Sequence, residues 1–151
     1  MDSLRIALVQ TDLYWQNPVA NRAAIEEQLA KLRQRVDVVA LPEMYTTGFT
    51  MQPERYAEEM RQETTRWMQQ MAASLDALVL GSLAIRQDTN YYNRLLCVRP
   101  DGDLYAYDKR HLFRMGGEHQ VYTAGAERLM LHWRGWKLCP LICYDLRFPV
   151  W

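Results

Sequence analysis

Asp37-Val38-Val39-Ala40-Leu41-Pro42-Glu43 is a short apolar run with an acidic residue at each end. A run of that length, closed by a proline, reads as a buried strand. Upstream, Leu4 to Val9 reads as another, and Asn17-Pro18 supplies an N-cap and a first-turn proline for a helix between them. Ile25, Leu29, Leu32 and Val36 recur at helical spacing and predict that helix's buried stripe. Strand, helix, strand implies a parallel crossover.

Working outward, Trp67, Met71 and Leu75 repeat every fourth residue and predict a second helix whose Met and Trp stripe packs into the core. Ala77 to Ile85 reads as a third strand. Pro100-Asp101-Gly102 is a turn sequence, because proline presets φ and glycine accepts a positive one; it predicts a hairpin of Leu95 to Val98 with Leu104 to Tyr107. Arg134-Gly135 predicts another, of Leu129 to His132 with Lys137 to Ile142. Crossover helices followed by hairpins give a mixed α/β sheet, helix-covered on one face.

The chain has 151 residues, enough to bury a single core amounting to roughly two thirds of its unfolded surface. No Gly/Ser/Pro-rich linker divides it, so one domain is expected over 1–151. Eighteen basic and 18 acidic residues cancel, which argues against nucleic acid as a partner. No apolar run approaches a membrane span and no basic leader opens the sequence, so a cytoplasmic location is expected. Three cysteines fit a reducing compartment. Cys139 and Cys143, on one predicted strand, would stand about 13 Å apart, beyond the ~7 Å that a disulfide spans. His111, His119 and His132 lie in separate segments without ligand spacing, so no metal is assigned and no cofactor is expected.

Three polar residues follow apolar runs in the same way. Leu141-Ile142 leads into Cys143, Leu41-Pro42 into Glu43, and Tyr105-Ala106-Tyr107-Asp108 into Lys109. Together they suggest an amide-cleaving site. An ammonium at Lys109 would favour the Cys143 thiolate and later hold the oxyanion; Glu43 would accept and return the proton. Ligands of open α/β sheets collect where these residues lie, just past strand ends. Residue physics alone leaves blander readings open. Cys143 could be a small core residue, Glu43 a helix-capping or solvated carboxylate, and Lys109 part of a charged loop.

The full strings go further. Leu41-Pro42-Glu43-Met44-Tyr45-Thr46-Thr47-Gly48-Phe49, Tyr107-Asp108-Lys109-Arg110-His111-Leu112-Phe113 and Cys143-Tyr144-Asp145-Leu146-Arg147-Phe148-Pro149 occur in the order found in the nitrilase superfamily of carbon–nitrogen hydrolases, which the chain resembles from Leu4 to Trp151. The resemblance implies an α-β-β-α sandwich, a Glu43, Lys109, Cys143 triad, thioester catalysis without metal or organic cofactor, and a homo-oligomer, a dimer as in the family. It also implies supporting roles for Glu118, which would orient Lys109 and the substrate nitrogen, and for Tyr144, whose backbone N–H would join the oxyanion hole. Asp145 and Arg147 read as residues that fix the nucleophile turn.

Met44-Tyr45-Thr46-Thr47-Gly48-Phe49 and Trp133-Arg134-Gly135-Trp136-Lys137 further resemble the omega-amidase subgroup. That likeness implies a small-molecule amide substrate, 2-oxoglutaramate and also 2-oxosuccinamate, hydrolysed to the 2-oxo dicarboxylate and ammonia. Arg110, Arg114 and Tyr45 are the candidates for the substrate carboxylate. Other readings are a cysteine hydrolase of another amide, one with a Cys-His pair using His111 or His119, and an inactive fragment or interaction protein that retains the triad. The family domain extends past the nucleophile motif, so 1–151 is expected to be the N-terminal part of a catalytic unit, inactive alone and covered by another polypeptide, a second copy or a further segment.

Overall fold

The computed structural model describes residues 3–151. Strand β1 (Ile6–Leu8) is followed by helix α1 (Pro18–Leu29), β2 (Val38–Ala40), α2 (Pro53–Tyr56), α3 (Glu63–Leu75), β3 (Leu78–Gln87), β4 (Asn90–Val98) and β5 (Leu104–Asp108). The five strands form one sheet in sequence order, with β1, β2 and β3 parallel and β3, β4 and β5 antiparallel. After a short helix α4 (Glu118–Val121), β6 (Leu131–Trp133) and β7 (Trp136–Leu138) pair as a separate two-stranded ribbon.

Alternation along the strands sends successive side chains to opposite faces and so makes two cores. On one face Val39, Val79, Leu83, Ile85, Leu96 and Val98 meet Ile25 and Leu29 of α1 and Trp67, Met68 and Ala72 of α3. On the other, Val38, Leu78, Leu95, Cys97 and Tyr107 meet Leu131 and Ile142, with Trp133, Leu138 and Trp151 packed at the edge. Ile25 and Met68 are fully enclosed, and burial of such a side chain stabilises by about 1.5–3 kcal/mol. Packing of one stripe therefore holds each helix more firmly than propensity would. The sheet thus has helices on one face and the ribbon with the segment after it on the other.

The crossover, the helices and both expected hairpins are present, and the Asn17 cap forms as read, its side chain accepting from the Ala20 N–H at 3.1 Å. Differences lie at the ends and in one turn. Helix α1 stops at Leu29, which leaves Leu32 exposed, while Val36 still packs against the core. The long β3–β4 hairpin turns at Asp88, whose φ of +55° takes the left-handed region without a glycine. The strand expected over Lys137 to Ile142 ends at Leu138, since Pro140 has no N–H for a ladder. Cys139 and Cys143 therefore share no strand; Cys139 is exposed and Cys97 is buried.

Candidate active site

One end of the sheet gathers the polar residues. Glu43 follows β2 in a turn fixed by β3: Leu41 N–H donates to the Leu80 carbonyl (2.8 Å), Met44 N–H to Ser82 Oγ (2.9 Å) and Tyr45 N–H to the Ser82 carbonyl (3.1 Å). A side chain at Gly81 would press on Leu41 and Tyr45, its Cβ 2.8 Å from the Leu41 Cβ, so the close seat of this turn needs glycine there. Lys109 follows β5, with its N–H on the Asn93 carbonyl (3.0 Å) and its own carbonyl accepting from Gly125 N–H (2.9 Å). A Cβ at Gly125 would lie 2.2 Å from the Asp108 carbonyl oxygen. Only glycine lets the segment after α4 close over Lys109.

That closure buries Glu118 completely beside Lys109. Lys109 Nζ lies 2.7 Å from Glu43 Oε1 and 2.9 Å from Glu118 Oε2, and 5.3 Å above the Phe49 ring. Phe113 N–H donates to Glu118 Oε2 at 2.6 Å. Asn93, wholly buried on β4, donates through Nδ2 to Glu43 Oε1 and Glu118 Oε1, both at 2.9 Å.

Cys143 opens a 3₁₀ turn, Cys143–Arg147, with a φ of +42°. That left-handed conformation is costly for a residue with a side chain and persists only where its surroundings fix it. Asp145 supplies the fixing. Its buried carboxylate accepts from Ile142 N–H (3.1 Å), His111 N–H (2.8 Å) and Tyr107 O–H (2.8 Å), and lies 2.9 Å from His111 Nδ1. One carboxylate therefore ties the Cys143 turn to β5 and to the segment carrying Lys109, as the sequence suggested for Asp145.

Glu43, Lys109, Cys143 and Tyr144 line one cleft of 760 Å³ with Phe49, Phe113, Met115 and Arg147. Tyr144 stands edge-on to Phe113 and Phe148, both at 5.3 Å between ring centres. Arg147 is corrected from a turn-fixing residue to a wall of the cleft; its guanidinium has no ion pair or side-chain hydrogen bond among the described residues. Of the other carboxylate candidates, Tyr45 is sealed in the helix-side core, Arg110 donates to the Gly125 carbonyl (3.1 Å), and Arg114 lines an adjoining 370 Å³ cleft. His111 faces Asp145 and is stacked on Phe148, and His119 lines the adjoining cleft, so neither takes the position of a Cys-His base.

The charges carry a second correction. Burial alone would pull Lys109 down, but the charge of Glu43 and the hydrogen bonds of Glu43 and Glu118 prevail and hold the ammonium above its ordinary value. Cys143 is also raised, first by burial, then by repulsion from Glu43, which outweighs the attraction of Lys109; Glu43 as hydrogen-bond acceptor and the charge of Glu118 add to it. Two carboxylates against one ammonium favour a protonated thiol, not the resting thiolate expected from Lys109 alone. The arrangement suits proton transfer to Glu43 during attack.

Asn93 escaped the sequence reading, because with Arg94 it forms a polar pair just ahead of the apolar run Leu95 to Val98. Phe49, Phe113 and Met115 escaped as well, since nothing in an isolated aromatic or methionine distinguishes a pocket wall from core.

Residues 5–150 match the carbon-nitrogen hydrolase family. The omega-amidase YafV of Yersinia enterocolitica is 46% identical over all of this chain, and the 2-oxoglutaramate amidase of Bacillus subtilis (strain 168) is 32% identical over 97% of it. The chain spans 58% of the length of each. Among solved structures, XC1258 from Xanthomonas campestris, a CN-hydrolase superfamily protein with an arsenic adduct in its active site, is 47% identical with a TM-score of 0.95, covering 99% of this chain and 57% of that one. Nit3 of Saccharomyces cerevisiae, in the nitrilase superfamily, shares the fold with a TM-score of 0.85 at 24% identity, over 97% of this chain and 58% of that one.

Proposed function

Because this chain belongs to the carbon-nitrogen hydrolase family, we propose that its site hydrolyses the terminal amide of a short 2-oxo acid through a Cys143 thioester, with Glu43 and Lys109 as its partners. The carrying observation is the Lys109 ammonium, set between two carboxylates at the wall of the cleft that Cys143 opens. As the thiol sulfur adds to the amide carbon, its proton passes to Glu43 and the oxygen becomes an oxyanion. Lys109 and the backbone N–H of Tyr144 hold that charge. Collapse breaks the C–N bond, the Glu43 proton goes to the leaving nitrogen, and ammonia departs. Water then gives Glu43 a proton as it attacks the thioester; breakdown releases the carboxylic acid and returns the proton to sulfur. An arsenic adduct in the active site of the Xanthomonas relative is what a soft thiol ligand would make, and it supports sulfur as the nucleophile.

The Bacillus relative's name, 2-oxoglutaramate amidase, and the place of Arg147 support a substrate of the 2-oxoglutaramate class. Lys109 is already engaged by two carboxylates, whereas Arg147, without an ion pair among the described residues, is placed in the cleft wall to meet the substrate's carboxylate. Ammonia release from 2-oxoglutaramate by the protein in its natural full length tests the reaction; no release from it or from other short linear amides would overturn it. Arg147→Ala is expected to raise KM for 2-oxoglutaramate by roughly 10-fold or more, with a much smaller effect on an uncharged amide. Equal effects on both would remove Arg147 from carboxylate recognition.

A further inference from the structure

We propose that Asn93 is a positioning residue for the chemical step, its one amide group donating to Glu43 and Glu118 together and so holding both carboxylates against Lys109 with Glu43 turned to the Cys143 thiol. The activity arm of this inference rests on the amidase reading above; the geometry does not. Asn93 is wholly buried, and its Nδ2 is 2.9 Å from an oxygen of each carboxylate. Both neighbours are acceptors, so the amide orientation is fixed: a flipped Asn93 would set its oxygen against two carboxylate oxygens. The same orientation leaves Asn93 Oδ1 buried without a partner among the described residues. Both donors serve the site, and the acceptor goes unused.

The residue type matters. Glu43, Glu118 and Lys109 together carry one excess negative charge in a buried place, and Phe113 N–H, at 2.6 Å, relieves only Glu118. A second cation at position 93 would hold that charge but make Glu43 too weak a base to take a thiol proton. A hydroxyl or a carboxylic acid offers one donor. A primary amide offers two on one nitrogen, with no net charge. Asn93 also fixes the Lys109 main chain, its carbonyl accepting the Lys109 N–H at 3.0 Å. The groups that face this cluster are Glu43, Lys109, Glu118, Cys143 and Tyr122, the last lying close enough to Glu118 for repulsion to help hold the phenol proton. Arg94, next on β4, is instead engaged in two hydrogen bonds with Asp108.

The test compares the unvaried full-length protein with Asn93→Ala and the near-isosteric Asn93→Asp. Loss of donors facing an anionic cluster favours every protonated form, so pH profiles should move upward. With Asn93→Ala, kcat is expected to fall about 10- to 100-fold, with KM within about threefold and the acid limb of kcat about one pH unit higher. The pH for half-maximal alkylation of Cys143 by iodoacetamide should rise as well, and further in Asn93→Asp, which adds a negative charge. A merely structural role would lower the melting temperature and leave both profiles in place. A folded variant with unmoved profiles, from either substitution, overturns the proposal. If the unvaried protein releases no ammonia yet the alkylation profile moves, the amidase reading fails and the role of Asn93 stands.

Discussion

Cys143→Ala is expected to lower amide turnover about 10⁴-fold or more, while Cys139→Ala leaves it unchanged. The reasoning is positional. Of the three cysteines, only Cys143 lines the cleft with Glu43 and Lys109; Cys97 is enclosed in the sheet, its thiol pushed up to about 12 by burial, and Cys139 is exposed away from the cleft. Without the sulfur no thioester forms, and the remaining oxyanion donors have no covalent step to assist. Because the Cys143 thiol is raised above its ordinary value, its alkylation should climb through the alkaline range rather than level off near neutrality. A Cys143→Ala protein that still releases ammonia, or a Cys139→Ala protein that does not, would refute the assignment. So would a neutral-pH plateau in alkylation, as regards the protonated resting thiol.

Lys109→Ala should damage activity and stability together. Loss of an oxyanion donor costs kcat at least ~100-fold. Lys109 is 1% exposed and Glu118 0%, so its removal strands a carboxylate in the interior beside Glu43; breaking such a pair costs about 3–5 kcal/mol. Lys109→Arg would keep the charge but not the compact tetrahedral donor that reaches both carboxylates, and should rescue stability better than rate. Denaturant unfolding with turnover per folded molecule separates the two effects. A folded Lys109→Ala protein with near-normal kcat would remove Lys109 from the chemistry.

Much of this architecture was legible because it is written locally. Asn17 and Pro18 mark a helix start, Pro100-Asp101-Gly102 a turn, and Glu43 and Lys109 stand just past apolar runs that become β2 and β5 of one sheet, whereas the run before Cys143 forms no strand. What escaped depends on distant partners. Asp88 turns the β3–β4 hairpin in a conformation usually signalled by glycine, and Asn93 looks like a polar fault in a strand until two carboxylates arrive beside it from other elements. Pro140 is a readable stop within the last apolar run, where β7 ends at Leu138 and leaves Cys139 exposed. The raised Cys143 thiol escaped for a related reason: the sequence places one cation near it, while only the fold shows its burial and the carboxylates that outnumber that cation.

That imbalance also bears on how a catalytic cycle would finish. Hydrolysis of the proposed substrate turns a neutral amide into a second carboxylate, made next to Glu43 and near the buried Glu118. The proposed substrate would enter with its uncharged end toward these anions, whereas its product would be an anion facing anions, with water-exposed Arg147 holding only the far end. The site would therefore eject what it makes, and the finished dicarboxylate would be a poor competitor for the cleft.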